Sequence, residues 1–283
     1  MKNKLLIILI LISSFGASSP LPTVFSEQDR GKLFLMGGGS RPPEMIARII
    51  TEAGLKEGGY GLILPMASAE PDSAIFYGKA QFSDQNVNNI FGFNYRSGNI
   101  NKVSLDSIVN ARLIYIAGGD QNRFMEFVSE TPLKEAIHEA FNKGAVIAGT
   151  SAGAAVMGAL MITGNELRYP EYSPTYNTIE TSNLELKPGL GILQNVLIDQ
   201  HFVKRSRHNR LLTAVLEFPE LTGIGIDEAT ALLIQGGEAE VIGESQVLVF
   251  NNPKKSTTIV NDKLGGRDIN LNIYLPGEKF ELF

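Results

Sequence analysis

Residues 145–157 read AVIAGTSAGAAVM, and the way this stretch folds decides the class of the molecule. Ala145 to Ala148 is a short, continuously apolar run of the kind that forms a strand buried on both faces. Gly149-Thr150-Ser151-Ala152-Gly153 follows, and Ala154, Ala155, Val156 and Met157 then begin a helix of small residues. Strand, sharp turn and helix in that order is the setting of a G-x-S-x-G elbow: the turn lifts the serine hydroxyl above the end of a sheet and leaves no room for larger neighbours. The helix starting beside it aims free backbone N–H groups, Ala152 first among them, at any oxyanion formed next to Ser151.

Outward from this elbow the alternation of apolar run and amphipathic stretch recurs. Lys32 to Met36 reads as a strand ending in Gly37-Gly38-Gly39, and Pro42 and Pro43 suit the first turn of a helix that buries Met45, Ile46, Ile49 and Ile50. Tyr60 to Pro65 is a second strand, with a helical segment from about Ser73. Arg112 to Ala117 is a third, closed by Gly118 and Gly119, and the next helix buries Phe124, Phe127, Val128, Ile137 and Phe141. Val196 to Ile198 reads as a strand, Arg205 to Leu216 as a helix, and Gly223 to Ile234 as a strand pair interrupted by Asp227 and Glu228. Glu240 to Ile242, Val247 to Phe250 and Asn270 to Tyr274 have an antiparallel pattern. Together they predict a three-layer α/β fold with a central, mostly parallel sheet and an antiparallel C-terminal edge. Only Asn165 to Glu185 breaks the rhythm, with Tyr169, Pro170, Tyr172, Pro174 and Tyr176; a long excursion of this kind is expected to be a lid or binding loop.

The 283 residues are 43% hydrophobic and 19% charged, which excludes a disordered chain, and the lack of cysteine excludes a disulfide scaffold, a zinc-thiolate site and a cysteine nucleophile. Lys2 and Lys4 precede an apolar run from Leu5 to Ile12 and small residues through Ser19, so residues 1–19 are predicted to be a signal peptide and residues 20–283 a single exported domain, secreted or periplasmic. The apolar run is shorter than the roughly 20 residues of a membrane span, and none is expected. Removing residues 1–19 deletes two lysines and no acid, moving the formal net charge from -5 to -7, a balance that argues against nucleic acid as a partner. Neither glycine run, Gly37-Gly38-Gly39 nor Gly118-Gly119-Asp120-Gln121, matches a nucleotide-binding loop, and no cofactor or metal is expected. Each run ends a strand on the edge that carries Ser151, where it either brings backbone N–H groups to a ligand or simply turns the chain. Gln121 offers a polar contact to substrate.

A serine nucleophile needs a base. His138 and His208 fall on polar helix faces and are expected to face solvent, whereas His201 follows the strand Val196 to Ile198 through Asp199 and Gln200, at the sheet edge where Ser151 sits. The third member is a carboxylate that orients the imidazole; Glu228 sits at a polar break between apolar strands, with Asp227, Asp199 and Glu166 as competitors. Lys204, Arg205, Arg207 and Arg210 form a basic cluster beside the base, suited to bidentate recognition of carboxylates. If all were helical, Arg207 and Arg210 would share a face and Arg205 would point away.

Gly37-Gly38-Gly39, Gly118-Gly119-Asp120-Gln121, Gly149-Thr150-Ser151-Ala152-Gly153, Asp199-Gln200-His201-Phe202 with Arg205, Arg207 and Arg210, and Gly225-Ile226-Asp227-Glu228 together resemble the cyanophycinases of serine peptidase family S51, which also contains peptidase E. The resemblance implies a fold similar to class I glutamine amidotransferases (flavodoxin-like), with serine in place of their cysteine nucleophile. It implies metal-independent hydrolysis of cyanophycin, a polyaspartate carrying arginine on its side-chain carboxyls, to β-aspartyl-arginine dipeptides. Carried over by position, Ser151 is the nucleophile, His201 the base and Glu228 its orienting acid; Gly119 and Ala152 supply oxyanion N–H groups. Gln121, Asp199, Gln200, Arg205, Arg207 and Arg210 bind the aspartyl backbone and its carboxylates. The excursion over 165–185 departs from the pattern, which leaves a peptidase for other aspartyl or isoaspartyl peptides as an alternative, and a non-catalytic binder of anionic peptides as another. A homodimer is the assembly the resemblance makes reasonable.

Overall fold

The computed structural model describes residues 31–95, 100–171, 173 and 175–282; the predicted signal peptide over 1–19 lies outside them, as do Tyr172 and Pro174 of the excursion. Five strands make the parallel half: β1 (Lys32–Met36), β2 (Gly61–Leu64), β3 (Ile90–Gly92), β4 (Leu113–Ile116) and β5 (Val146–Thr150). They lie in the order β1-β5-β4-β2-β3, each parallel to its neighbour. The crossovers run through α1 (Pro43–Glu52), α2 (Pro71–Ser83), α3 (Lys102–Val109), α4 (Gln121–Val128) and α5 (Pro132–Asn142). Because strand side chains alternate, Phe34, Met36, Leu113, Tyr115, Val146 and Ala148 meet Met45, Ile46, Ile49 and Ile50 of α1 on one face. Leu33, Leu35, Ile114, Ile116 and Ile147 meet Phe124, Ile137 and Ala140 on the other. Continuous apolar strands are the consequence of being covered on both sides.

The helix expected through Phe124 to Phe141 is two helices. Pro132 cannot donate to a preceding turn and disfavours helical backbone at Thr131, whose hydroxyl instead caps α5 by accepting from Leu133 N–H. Strand β3 and helix α3 were not expected from the pattern; β3 has only 3 residues and α3 buries only Ile108.

On the other side of β1 the sheet continues antiparallel through β10 (Thr230–Gln235), β11 (Glu238–Gly243) and β16 (Lys279–Glu281), giving eight strands in all. A second sheet has the order β15-β12-β9-β8, from β8 (Val196–Gln200), β9 (Thr222–Ile226), β12 (Val247–Asn251) and β15 (Asn270–Tyr274). Its inner side chains, Ile198, Ile224, Ile226, Val247 and Val249, share one core with Leu33, Leu35, Leu232 and Ile234 of the large sheet. Its outer ones, Leu197, Leu248 and Phe250, pack on Leu211, Ala214 and Val215 of α7 (His208–Glu217). The α/β class is as expected, with one change. The residues expected as a strand pair over Gly223 to Ile234 are β9 and β10, which belong to different sheets: Asp227-Glu228-Ala229 crosses between them, with Ala229 at φ 53° and its N–H on Gly38 O at 3.0 Å.

The excursion is a strand hairpin with a long tip. Strands β6 (Leu160–Glu166) and β7 (Leu184–Pro188) pair antiparallel, and the tip folds back so that Tyr176, Glu180 and Asn183 are buried. A further hairpin, β13 (Thr258–Val260) with β14 (Lys263–Gly265), lies against this tip through a bridge between Glu180 and Lys263. Among the described residues no helix is long and apolar enough to cross a membrane.

Candidate active site

The elbow forms as its sequence requires. Ser151, between β5 and the short helix α6 (Ala152–Ala155), sits at φ 53° and ψ -112°, a strained backbone for a serine. Its two glycines are enforced by contact: a Cβ on Gly149 would lie 2.1 Å from Gly153 O, and one on Gly153 would lie 2.3 Å from Ile116 O. Ser151 N–H is held by Met36 O at 2.9 Å, so the serine backbone is anchored to the neighbouring strand.

His201 follows β8 at φ 50°, its N–H donating to Gly37 O at 2.8 Å. Its Nε2 lies 2.9 Å from Ser151 Oγ, and its Nδ1 lies 2.6 Å from Glu228 Oε1. A carboxylate only accepts, so Nδ1 carries the proton and Nε2 presents its lone pair to the serine hydroxyl. Burial holds the His201 imidazole below its ordinary value of 6.5; the Glu228 hydrogen bond opposes this, and the charges of Arg205 and Arg207 add to the lowering. The ring is therefore neutral at neutral pH, the state a base requires.

The other acids are engaged elsewhere. Glu166 accepts from Asn183 Nδ2 at 2.8 Å, and Asp227 accepts from Lys204 N–H at 2.9 Å and Ser245 Oγ at 2.7 Å. Asp199 is 1% exposed. Its oxygens take Arg210 Nε at 2.6 Å, Arg210 Nη2, and the Gln200 N–H at 2.7 Å, with Arg207 Nη1 at 3.5 Å. It lies beneath the cavity wall and does not line it, which corrects its expected contact with substrate: the carboxylate orients guanidiniums that do. A buried carboxylate of this kind requires such partners, since removing one side of a buried pair costs about 3–5 kcal/mol.

Gly37-Gly38-Gly39 has a different use from the ligand-facing one considered above. A Cβ on Gly38, at φ 103°, would lie 2.4 Å from His201 Cε1, and one on Gly39 would lie 2.8 Å from the Glu228 side chain. The run is a bare surface against which the imidazole and its carboxylate pack. His138 also differs from expectation, because its Nε2 bonds Leu190 O at 2.7 Å; His208 is exposed and stacks near Phe202.

Ser151 opens into a polar cavity of about 270 Å³. Gly119, Asp120, Gln121 and Asn122 form one wall, and Gln200, Arg205, Arg207 and Arg210 the opposite one. Helix α7 starts only at His208, so the face arithmetic for a longer helix does not apply and all three arginines reach the same cavity. Arg207 Nη1 donates to Gln200 O at 2.7 Å and to Gln200 Oε1, which fixes that guanidinium in the wall. Among the described residues Arg205 makes no side-chain hydrogen bond or ion pair. Gln121 spends its Nε2 donors on Ile162 O at 2.9 Å and Thr163 O at 2.8 Å, leaving its carbonyl oxygen as acceptor. Neither Gly119 N–H nor Ala152 N–H has an acceptor among the described residues.

Thr163, Gly164, Asn165 and Ser173 close the cavity and were not singled out from the sequence. Glu185 Oε2 holds Thr163 Oγ1 at 2.6 Å and Asn165 Nδ2 at 2.8 Å. The polar break Thr163-Gly164-Asn165 after an apolar run was the signal available. Among the described residues no group of acidic and histidine side chains is arranged to hold a metal.

The sequence pattern of peptidase family S51 matches residues 33–242. A cyanophycinase of Trichormus variabilis is 35% identical over 177 residues, 60% of this chain and 57% of that protein, so the chain matches a little over half the length of that relative. A cyanophycinase of Thermosynechococcus vestitus is 31% identical over 266 residues, 89% of this chain and 80% of that protein. Among solved structures, a peptidase from an acI-B1 actinobacterium superposes with a TM-score of 0.61 at 22% identity, covering 91% of this chain and 99% of that one, a likeness of fold.

Proposed function

The chain belongs to peptidase family S51, and from that premise we propose that it is a serine exopeptidase that hydrolyses cyanophycin to β-aspartyl-arginine dipeptides through an acyl-enzyme. The observation that carries this is the unbroken chain from Ser151 Oγ to His201 Nε2 at 2.9 Å and from His201 Nδ1 to Glu228 Oε1 at 2.6 Å, opening on a cavity walled by arginines.

In this reading Ser151 Oγ attacks the scissile carbonyl carbon while its proton passes to His201 Nε2, and Glu228 stabilises the imidazolium that results. The negative charge that develops on the carbonyl oxygen meets the Gly119 and Ala152 N–H groups. Collapse of this intermediate breaks the C–N bond, and the imidazolium protonates the departing amine. Water then attacks the ester, giving its proton to Nε2; the second collapse returns that proton to Ser151 Oγ and frees the acid. Arg205, Arg207 and Arg210 draw a carboxylate-bearing substrate end into register, and Gln121 offers an acceptor to a substrate N–H. Hydrolysis of this kind needs no metal or cofactor.

A second reading, cleavage of other aspartyl or isoaspartyl peptides, is favoured by the cavity wall that comes from the excursion outside the recognised motifs. A panel of cyanophycin, β-Asp-Arg-type and α-Asp peptides tests both: release of β-Asp-Arg from cyanophycin is expected, and turnover confined to the other peptides moves the assignment to the second reading. Labelling of Ser151 by a serine-reactive phosphonate is expected, and a chain that resists it and turns over nothing is a binder of anionic peptides. Export of residues 20–283 rests on Lys2, Lys4 and the run Leu5 to Ile12, and N-terminal sequencing of the mature protein reads the cleavage. A homodimer rests on the resemblance alone, and light scattering reads it.

A further inference from the structure

The two oxyanion N–H groups in the reading above stand on different footings. Ala152 is the first residue of α6, so its direction is set by a helix fused to the elbow. Gly119 lies in the loop between β4 and α4, at φ 143°, and needs support from outside that loop.

That support comes from Ala67, in the turn after β2 closed by Ser68 N–H on Pro65 O at 2.8 Å. The two loops touch: a Cβ on Gly119 would lie 2.1 Å from Ala67 O and 2.9 Å from Ser68 N. Ala67 O accepts Asp120 N–H at 2.9 Å, which fixes the peptide unit immediately after Gly119. It also accepts Arg123 Nη1 at 3.1 Å. A carbonyl oxygen has two lone pairs, and here both are occupied by N–H donors from the same loop and helix. The ring is completed by Asp120, whose Oδ1 accepts the N–H groups of Asn122 at 2.8 Å and Arg123 at 3.3 Å. On the far side of the loop a Cβ on Gly118 would lie 3.4 Å from Ser151 Cβ, so a shift of this loop is a shift relative to the nucleophile.

We propose that Arg123 is a positioning residue for the reaction: by clamping Ala67 O from the side away from the cavity, it holds the Gly119 N–H at the distance from Ser151 that the developing oxyanion requires. This rests on the assignment of Gly119 to the oxyanion site. Arg123 itself does not line the cavity and makes no substrate contact. Hydrogen bonds that act on developing charge lower the barrier without tightening ground-state binding, so its loss falls on kcat.

The test uses the full-length mature enzyme with a β-aspartyl peptide substrate and compares Arg123→Ala, Arg123→Gln and Arg123→Lys. The expected result is a kcat lower by about 10- to 100-fold for Arg123→Ala with KM within about threefold of the parent. The rate of inactivation by a phosphonate, whose adduct places an oxygen in the same site, falls in parallel. Arg123→Lys, which keeps a donor on a long side chain, regains most of kcat, with Arg123→Gln between. The acid limb of the pH profile stays in place, because the cations that lower the His201 pKa are Arg205 and Arg207. A kcat within twofold of the parent in a folded Arg123→Ala, or a loss that falls on KM alone, overturns the proposal. So does a loss that follows the folded fraction through a thermal melt, or one that Arg123→Lys does not relieve. Ser151→Ala separates the two levels: turnover that survives it overturns the serine mechanism itself. Turnover lost in Ser151→Ala and unchanged in Arg123→Ala overturns only the role of Arg123.

Discussion

One wall of the cavity is made by strand ends, the other by a loop held in place from a distance. On the first, Gly119 to Asn122, Ser151, Gln200 and the arginines emerge directly from β4, β5 and β8 and are fixed by backbone contacts of the strands themselves. On the second, Ser173 belongs to the tip between β6 and β7, which is tied down by residues far along the chain. Arg168 pairs with Asp262 at 2.9 Å, Glu180 with Lys263, and Thr181 N–H and Leu264 N–H bond Asp262 O and Ile179 O at 3.0 Å each. The family match ends at residue 242, before this hairpin begins. The difference separates chemistry from selection: the groups that make and break bonds sit on the invariant geometry of a sheet edge, while the wall that shapes the substrate is free to vary with the segment that props it.

The largest effect that sharpens this comparison is on the strand-end wall. Glu228→Gln is expected to lower kcat by about 10⁴-fold, the order seen when an orienting carboxylate is neutralised. Glu166→Gln, on the hairpin side, is expected to leave it within a few-fold; steady-state kinetics on the pair decides, and a larger loss in Glu166→Gln breaks the assignment. Gly38→Ala comes next. The added methyl would lie 2.4 Å from the His201 ring, and displacing the base by even ~1 Å is expected to reduce kcat by about 100-fold with little change in far-UV circular dichroism.

Arg205→Ala has a smaller effect with a definite sign. Activity is lost as pH falls through the His201 pKa, and that pKa is held below 6.5 by burial first and by Arg205 and Arg207 in addition. The acid limb of kcat/KM is thus expected below pH 6.5 in the parent and nearer neutrality in Arg205→Ala, where one repelling cation is gone. An unmoved limb breaks the electrostatic account. Lys263→Ala is the mildest and acts on the other wall. Its partner Glu180 is buried while the lysine side chain is 66% exposed, so a two- to fivefold change in KM with unchanged kcat and pH profile is expected. A loss of kcat instead would mean the two walls are not separable.

The elbow was legible in the sequence because its whole geometry lies in five consecutive residues. His201 was legible because a strand brings it to an edge, and Glu228 because two acids interrupt an apolar run. The second sheet was not, since a three-residue link between two apolar strands has the pattern of a hairpin, and only the contact of Ala229 N–H with Gly38 O reveals a crossing. The role of Asp199 was hidden for a related reason: adjacency to Gln200 and His201 places it at the site, but strand alternation turns its carboxylate inward to the arginines. The loop wall was illegible because its ties join residues 168 and 180 to residues 262 and 263, separations across which one sequence carries no pattern.

The crossing at Asp227 to Ala229 has a consequence for how this molecule fails. Ser151 hangs from the eight-stranded sheet, His201 from the four-stranded one, and Glu228 from the strap between them. Turnover is therefore a gauge of the seam between two sheets, readable at displacements of a few tenths of an ångström that spectroscopy of either sheet would miss. In a denaturant titration the seam can slip while both sheets stay paired, and the enzyme would fall silent well before it melts.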